Sequence, residues 1–128
     1  CKFTTLGQGK IVVGDNVQLN GTAITSRKRI EIGDGSLVAP NCIIVDSDFH
    51  VVWPPENRGH SDSTGEDREV CIGKNVWLGL NVVVLKGATI GDNSIIAAGS
   101  VVTGEIPANV IAAGTPARVV RELFGERS

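Results

Sequence analysis

The sequence predicts an all-β chain wound as a parallel β-helix, and three observations predict it. Aliphatic residues recur every six positions, glycine is abundant at 16 residues, and aromatic side chains make up only 4% of the 128 residues. A core without aromatics has to be built from Val, Ile, Leu and Ala in a repeating lattice. The repeat is clearest at Ile72, Leu78, Val84, Ile90, Ile96 and Val102; four residues beyond each stand Val76, Val82, Ala88, Ser94, Ser100 and Ile106, mostly small. A period of six does not suit an amphipathic α-helix, whose apolar positions recur at three and four. It suits a very short strand and a turn, three of which close one triangular coil. Stacked coils pair as parallel strands at about 4.8 Å, so each coil stabilises only its neighbours.

In chain order, Val13 and Leu19 open the pattern, with Val17 and Ala23 at the fifth position. Ile32, Val38 and Ile44 continue it, with Ser36 and Cys42. Between these blocks the phase slips by one residue near Arg27–Arg29, which reads as a bulged corner. Asp15-Asn16, Lys74-Asn75 and Asp92-Asn93 fall at turns, where Asn tolerates positive φ. From 46 to 69 the hexads fail and the chain turns polar, with Trp53-Pro54-Pro55 and the run from Arg58 to Ser63. This predicts a loop of roughly twenty residues protruding from a corner, a length that usually serves function or is disordered. After Ile106-Pro107 the hexads stop. Thr115-Pro116 reads as helix cap and first helical residue, Val119, Val120 and Leu123 as an apolar stripe, and Gly125 as the stop. The expected organisation is a β-helix over 1–114 and a short C-terminal α-helix over 115–128 capping the prism.

Composition narrows the partners. A formal net charge of −2 provides no field that favours nucleic acid or an anionic membrane. No apolar run is long enough to span a bilayer, and no charged-then-apolar leader opens the chain. Cys1 comes first and methionine is absent, so the natural start is expected to lie upstream. Cys1, Cys42 and Cys71 are an odd set at no metal-like spacing, which reads as reduced thiols of a cytoplasmic protein.

Histidine is the obvious place for acid–base chemistry, and there are two. His50 follows Asp46-Ser47-Asp48-Phe49, where the hexads fail. There it is either a general base whose tautomer a neighbouring carboxylate fixes or a surface histidine in a polar loop. His60, among Gly, Ser and Asp, reads as solvated surface. A three-histidine zinc site would need a ligand from elsewhere, so no metal is expected. Neither a nucleophile elbow nor a phosphate-binding glycine loop is present. Arg118 and Arg121, one helical turn apart on the expected helix, either hold a phosphate together or form a solvated basic face.

The stretch from Val70 to Leu123, with Ile72-Gly73-Lys74-Asn75-Val76-Trp77, Ile90-Gly91-Asp92-Asn93-Ser94 and Ala113-Gly114-Thr115-Pro116-Ala117-Arg118, resembles the hexapeptide-repeat acyltransferases. The nearest branch is that of galactoside, maltose and polysaccharide O-acetyltransferases, and Asp46-Ser47-Asp48-Phe49-His50 resembles its catalytic histidine segment. The resemblance covers essentially the whole chain. It implies left-handed coils, a homotrimer with sites in the clefts between neighbours, and acetyl-CoA as co-substrate. It implies His50 as base, oriented by Asp48 or Asp46. Gly79, Leu80, Ala97, Ala98, Thr103 and Gly104 are implied along the pantetheine arm, Pro116 near the adenine, and Arg118 and Arg121 near the phosphates. Trp77 is implied either in the acceptor cleft or at the trimer contact, and the Trp53 loop is expected to shape the acceptor pocket. A backbone N–H near Gly79 is the expected oxyanion donor. Two features depart from the branch: Gly104 replaces a frequent basic residue, and the helical N-terminal region of maltose-type members is absent. The expected reaction is O-acetylation of a sugar or polysaccharide hydroxyl. The alternatives are N-acetylation of an amino sugar and, more remotely, a carbonic-anhydrase-like or non-catalytic β-helix.

Overall fold

The structure, a computed structural model, describes residues 1–50, 53, 55–57 and 67–123. The chain forms three sheets, parallel but for one terminal strand, that wind as a left-handed β-helix. One sheet is built from β1 (Lys2–Thr5), β4 (Ala23–Ser26), β7 (Ile43–Val45), β10 (Val83–Val84) and β13 (Val101–Val102). A second contains β2 (Ile11–Val13), β5 (Ile30–Ile32), β8 (Val70–Ile72), β11 (Thr89–Ile90) and β14 (Glu105–Ile106). The third contains β3 (Gln18–Leu19), β6 (Leu37–Val38), β9 (Trp77–Leu78), β12 (Ile95–Ile96), β15 (Val110–Gly114) and β16 (Ala117–Glu122). We call these the first, second and third faces; the chain visits them in the order second, third, first.

The core is the hexad made solid. Ile72, Leu78, Val84, Ile90, Ile96 and Val102 are all buried, as are Val76, Val82, Ala88, Ser94 and Ser100 at the fifth positions. The buried serines do not waste their hydroxyls: Ser94 Oγ donates to Pro107 O at 2.6 Å and Ser36 Oγ to Gly73 O at 3.0 Å. Corners turn on asparagine, with positive φ at Asn16, Asn41, Asn75, Asn81, Asn93 and Asn109. These are left-handed conformations that Asn tolerates better than a branched residue.

The phase slip has two parts. Leu19 to Ile24 spans five residues where the paired Val38 to Ile44 spans six, so the corner at Asn20–Thr22 is one residue short. Ile24 to Ile32 spans eight where Val84 to Ile90 spans six, so the corner at Ser26–Arg29 is two residues long. The net is the one-residue slip seen in sequence. The short corner also reverses one expectation: Ala23 is only half-buried, and Thr22 and Ile24 point inward instead.

The expected C-terminal helix is not formed over the described residues to Leu123. Ala117–Glu122 is a strand pairing antiparallel with β15. The reason is the sheet edge: β15 ends the third face, and a strand satisfies its open backbone groups where a packed helix does not. Val119 and Val120 are β-branched and suit a strand. The hairpin turns at a cis Thr115–Pro116 bond. Gly125 lies outside the described residues, as does His60.

Candidate active site

Between β7 and β8, the described residues 46–50, 53, 55–57 and 67–69 include no strand. The loop exits and returns through a closed neck: Arg68 N–H donates to Asp46 O at 3.0 Å, and Arg27 Nε lies 3.6 Å from Asp67 Oδ2. Asp46 holds this neck. Its side chain is fully buried; it accepts from Ser26 Oγ at 2.7 Å and from the backbone N–H groups of Arg27, Lys28 and Arg29 at 2.7, 2.9 and 2.7 Å. The two-residue-long corner is therefore wrapped around one carboxylate. Asp48, two residues on, is exposed and forms an ion pair with Lys86 of the following coil, Oδ2 to Nζ at 2.6 Å.

Asp46 is held in the corner, and Asp48 reaches Lys86 through Oδ2. His50 itself is exposed at the end of the turn. Phe49, just before it, has φ 63°, the one positive-φ residue besides asparagine and glycine among the described residues. A bulky residue held there costs about 1–2 kcal/mol, and such strain concentrates at working sites. Its N–H donates to Ser47 Oγ at 2.9 Å, and Ser47 is buried.

A groove of about 350 Å³ runs along a different corner, where the third face turns into the first. Gly79, Leu80, Ala97 and Ala98 line it beside Trp77 and Ala39. The smallness of Gly79 is already required by stacking: a Cβ there would lie 2.8 Å from Ala98 N. Cys42 Sγ donates to Gly79 O at 3.2 Å from the coil below. The Gly79 N–H itself is taken, donating to Ile96 O at 2.9 Å.

The outward ladder of the third face runs Leu37, Trp77, Ile95, Ile111 and Arg121 in register. Arg118 stands opposite Ala113, two residues from Ile111 on the same side of β15. A bulge between Ile111 and Ala112 keeps both arginines on this outer side, although they stand three positions apart in sequence. The hairpin tip with Pro116 adjoins the groove, since Gly114 N–H reaches Ser100 Oγ at 3.1 Å just past Ala97 and Ala98. Thr103 and Gly104 do not join the groove. They follow β13, on the same edge as the His50 loop. Trp53, 75% exposed, belongs to that loop, while Trp77 belongs to the groove. The candidate residues are thus divided between two edges of one prism, separated by the width of the first face.

The sequence reading missed Lys86 and the strain at Phe49. Lys86 was within reach: pairing Ile44 with Val84 puts Asp46 and Lys86 at equivalent corner positions. Phe49 has no sequence signal. Thiol chemistry is not favoured, because burial pushes the Cys42 and Cys71 thiols up, with the Glu31 charge adding at Cys71. A raised thiol pKa leaves less thiolate to act as a nucleophile.

Residues 72–104 match the family model for the bacterial transferase hexapeptide (six repeats). The chain is 42% identical to the galactoside O-acetyltransferase of Escherichia coli over 88% of its own length and 54% of that protein. It is 36% identical to the putative lipopolysaccharide biosynthesis O-acetyl transferase WbbJ of the same organism, over 98% of this chain and 67% of the other. The chain thus spans little more than half of the first relative. Among solved structures, a galactoside acetyltransferase in complex with coenzyme A superposes with a TM-score of 0.82 at 40% identity, over 94% of this chain and 59% of that one. A hexapeptide-repeat acetyltransferase of Vibrio cholerae complexed with acetyl coenzyme A gives 0.81 at 30% identity, over 94% and 64%.

Proposed function

The chain belongs to the hexapeptide-repeat transferase family, and from that premise we propose that it is an O-acetyltransferase moving the acetyl group of acetyl-CoA to a hydroxyl of a sugar or polysaccharide-type acceptor. The observation that carries the reading is the apolar groove of Gly79, Leu80, Ala97 and Ala98, in a chain whose structural neighbours hold coenzyme A. Small side chains leave room for a thin, extended arm to lie against the coils. Arg118 and Arg121, on the outer side of the adjoining hairpin, suit the cofactor's phosphates, and Pro116 at its tip suits the adenine.

His50 takes the proton from the acceptor hydroxyl, and the alkoxide attacks the thioester carbonyl. The tetrahedral intermediate collapses with loss of the CoA thiolate, which recovers the proton from the imidazolium. No acyl-enzyme forms, in keeping with burial that pushes the Cys42 and Cys71 thiols up. Because His50 and the groove stand on different edges, the complete site requires a second copy, whose His50 edge meets this groove. A homotrimer supplies three equivalent contacts of this kind. Thr103 and Gly104 then reach the cofactor from the His50 side, and exposed Leu37 and Trp77 lie towards the neighbour or the acceptor. Trp53 shapes the acceptor pocket. Unpaired thiols at Cys1, Cys42 and Cys71 favour the cytoplasm.

The test is thiol release from acetyl-CoA with a panel of sugar hydroxyl and amino-sugar acceptors. Turnover confined to hydroxyls supports the reading; turnover confined to amines overturns O-transfer. His50→Ala is expected to lower kcat by about 10²–10⁴-fold while acetyl-CoA still binds by calorimetry. Wild-type kcat in that variant removes His50 from the chemistry.

A further inference from the structure

The His50 segment has left the strand lattice, yet a general base must stand at a defined position. The Lys86–Asp48 contact supplies a tie. Lys86 sits in the corner after β10, which is itself held by two backbone bonds: Ala88 N–H to Leu85 O at 3.2 Å and Gly87 N–H to Arg68 O at 3.4 Å. From this corner its ammonium reaches Asp48 at 2.6 Å, two residues before His50. Asp46 and Ser47 secure the near end of the segment to the coil, and Lys86 secures the middle to the coil that follows. The strained Phe49 then turns the chain into His50.

We infer that Lys86 is a positioning residue for acetyl transfer: it acts through Asp48 to fix the turn that presents His50. The inference rests on the reading of His50 as the base. An ion pair this exposed adds little to global stability, so its effect is local. Neither Lys86 nor Asp48 lines the acetyl-CoA groove, so cofactor affinity is expected to change little.

The experiment measures kcat, KM for acetyl-CoA and the thermal midpoint with methyl β-galactoside as acceptor. Wild type, Lys86→Met, Lys86→Arg, Asp48→Asn, the Lys86→Met/Asp48→Asn double variant and His50→Ala are compared. Lys86→Met and Asp48→Asn each lower kcat by about 10- to 100-fold, the penalty of a misplaced catalytic group. KM for acetyl-CoA stays within about twofold, and the midpoint moves by less than about 4 °C. Lys86→Arg restores most of kcat, and the double variant is no worse than the poorer single one, as one shared contact requires. Wild-type kcat in Lys86→Met, with His50→Ala inactive, overturns the inference and leaves the base intact. Loss of kcat in Lys86→Met without arginine rescue and with a falling midpoint also overturns it. Wild-type kcat in His50→Ala instead sinks the reading on which it rests.

Discussion

A single carboxylate decides the geometry of the His50 edge. Asp46 is buried with four donors on its two oxygens, and three of them are backbone N–H groups of a corner two residues longer than the one between β10 and β11. Without an acceptor those N–H groups lie against the core with no partner, and a buried donor without a partner is costly. Asp46→Asn places an amide where a second acceptor oxygen stood. It is expected to cost about 3 kcal/mol, read as a lower midpoint in urea with unchanged slope. A variant as stable as the wild type would mean that the corner does not depend on this group. The role was hidden in the sequence because Asp46 and Asp48 look alike there. Both are short acids near a histidine, and only the fold shows one buried under a corner and the other reaching out to Lys86.

At the scale of the strand and the corner, stacking leaves little slack. A Cβ on Gly33 would lie 2.6 Å from the backbone carbonyl group of Gly73 in the next coil and 2.8 Å from Lys74 N. Backbone cannot rotate aside as a side chain does, so Gly33→Ala forces two coils apart. The expected cost is about 1–3 kcal/mol, measured by chemical denaturation; a loss near zero would show the coils more compliant than drawn. Element by element, what could be read in sequence followed the local physics. Ile72 to Val102 were legible because each inward position repeats the same demand for an aliphatic side chain. The corner at Ser26–Arg29 was legible only as a net slip, since a contraction at Asn20–Thr22 partly cancelled the expansion and concealed which residue of Thr22–Ile24 points inward. The C-terminal strand was illegible for another reason. Thr115-Pro116 followed by Val119 and Val120 satisfies a helix start and a strand equally, and the open edge of β15, which decides between them, exists only once the coils are stacked.

The whole molecule is a prism whose edges carry different halves of the proposed site. Three faces and a fixed winding order put the Asp46–His50 turn, Lys86 and Thr103-Gly104 on the edge after the first face. Gly79-Leu80, Ala97-Ala98 and the Pro116 tip lie on the edge before it. The column is stiff because each inner strand is paired above and below, so one copy cannot fold the first edge onto the second. Assembly therefore completes the site, and subunit mixing tests this most directly. His50→Ala and Ala98→Trp, which fills the groove, are each nearly inactive alone. When they are refolded together in equal amounts, about one quarter of the interfaces in a randomly mixed ring pair an intact histidine with an intact groove, and about that fraction of wild-type thiol release should return. A mixture no more active than its two parents would contradict the account, because it would place the base and the groove within one chain.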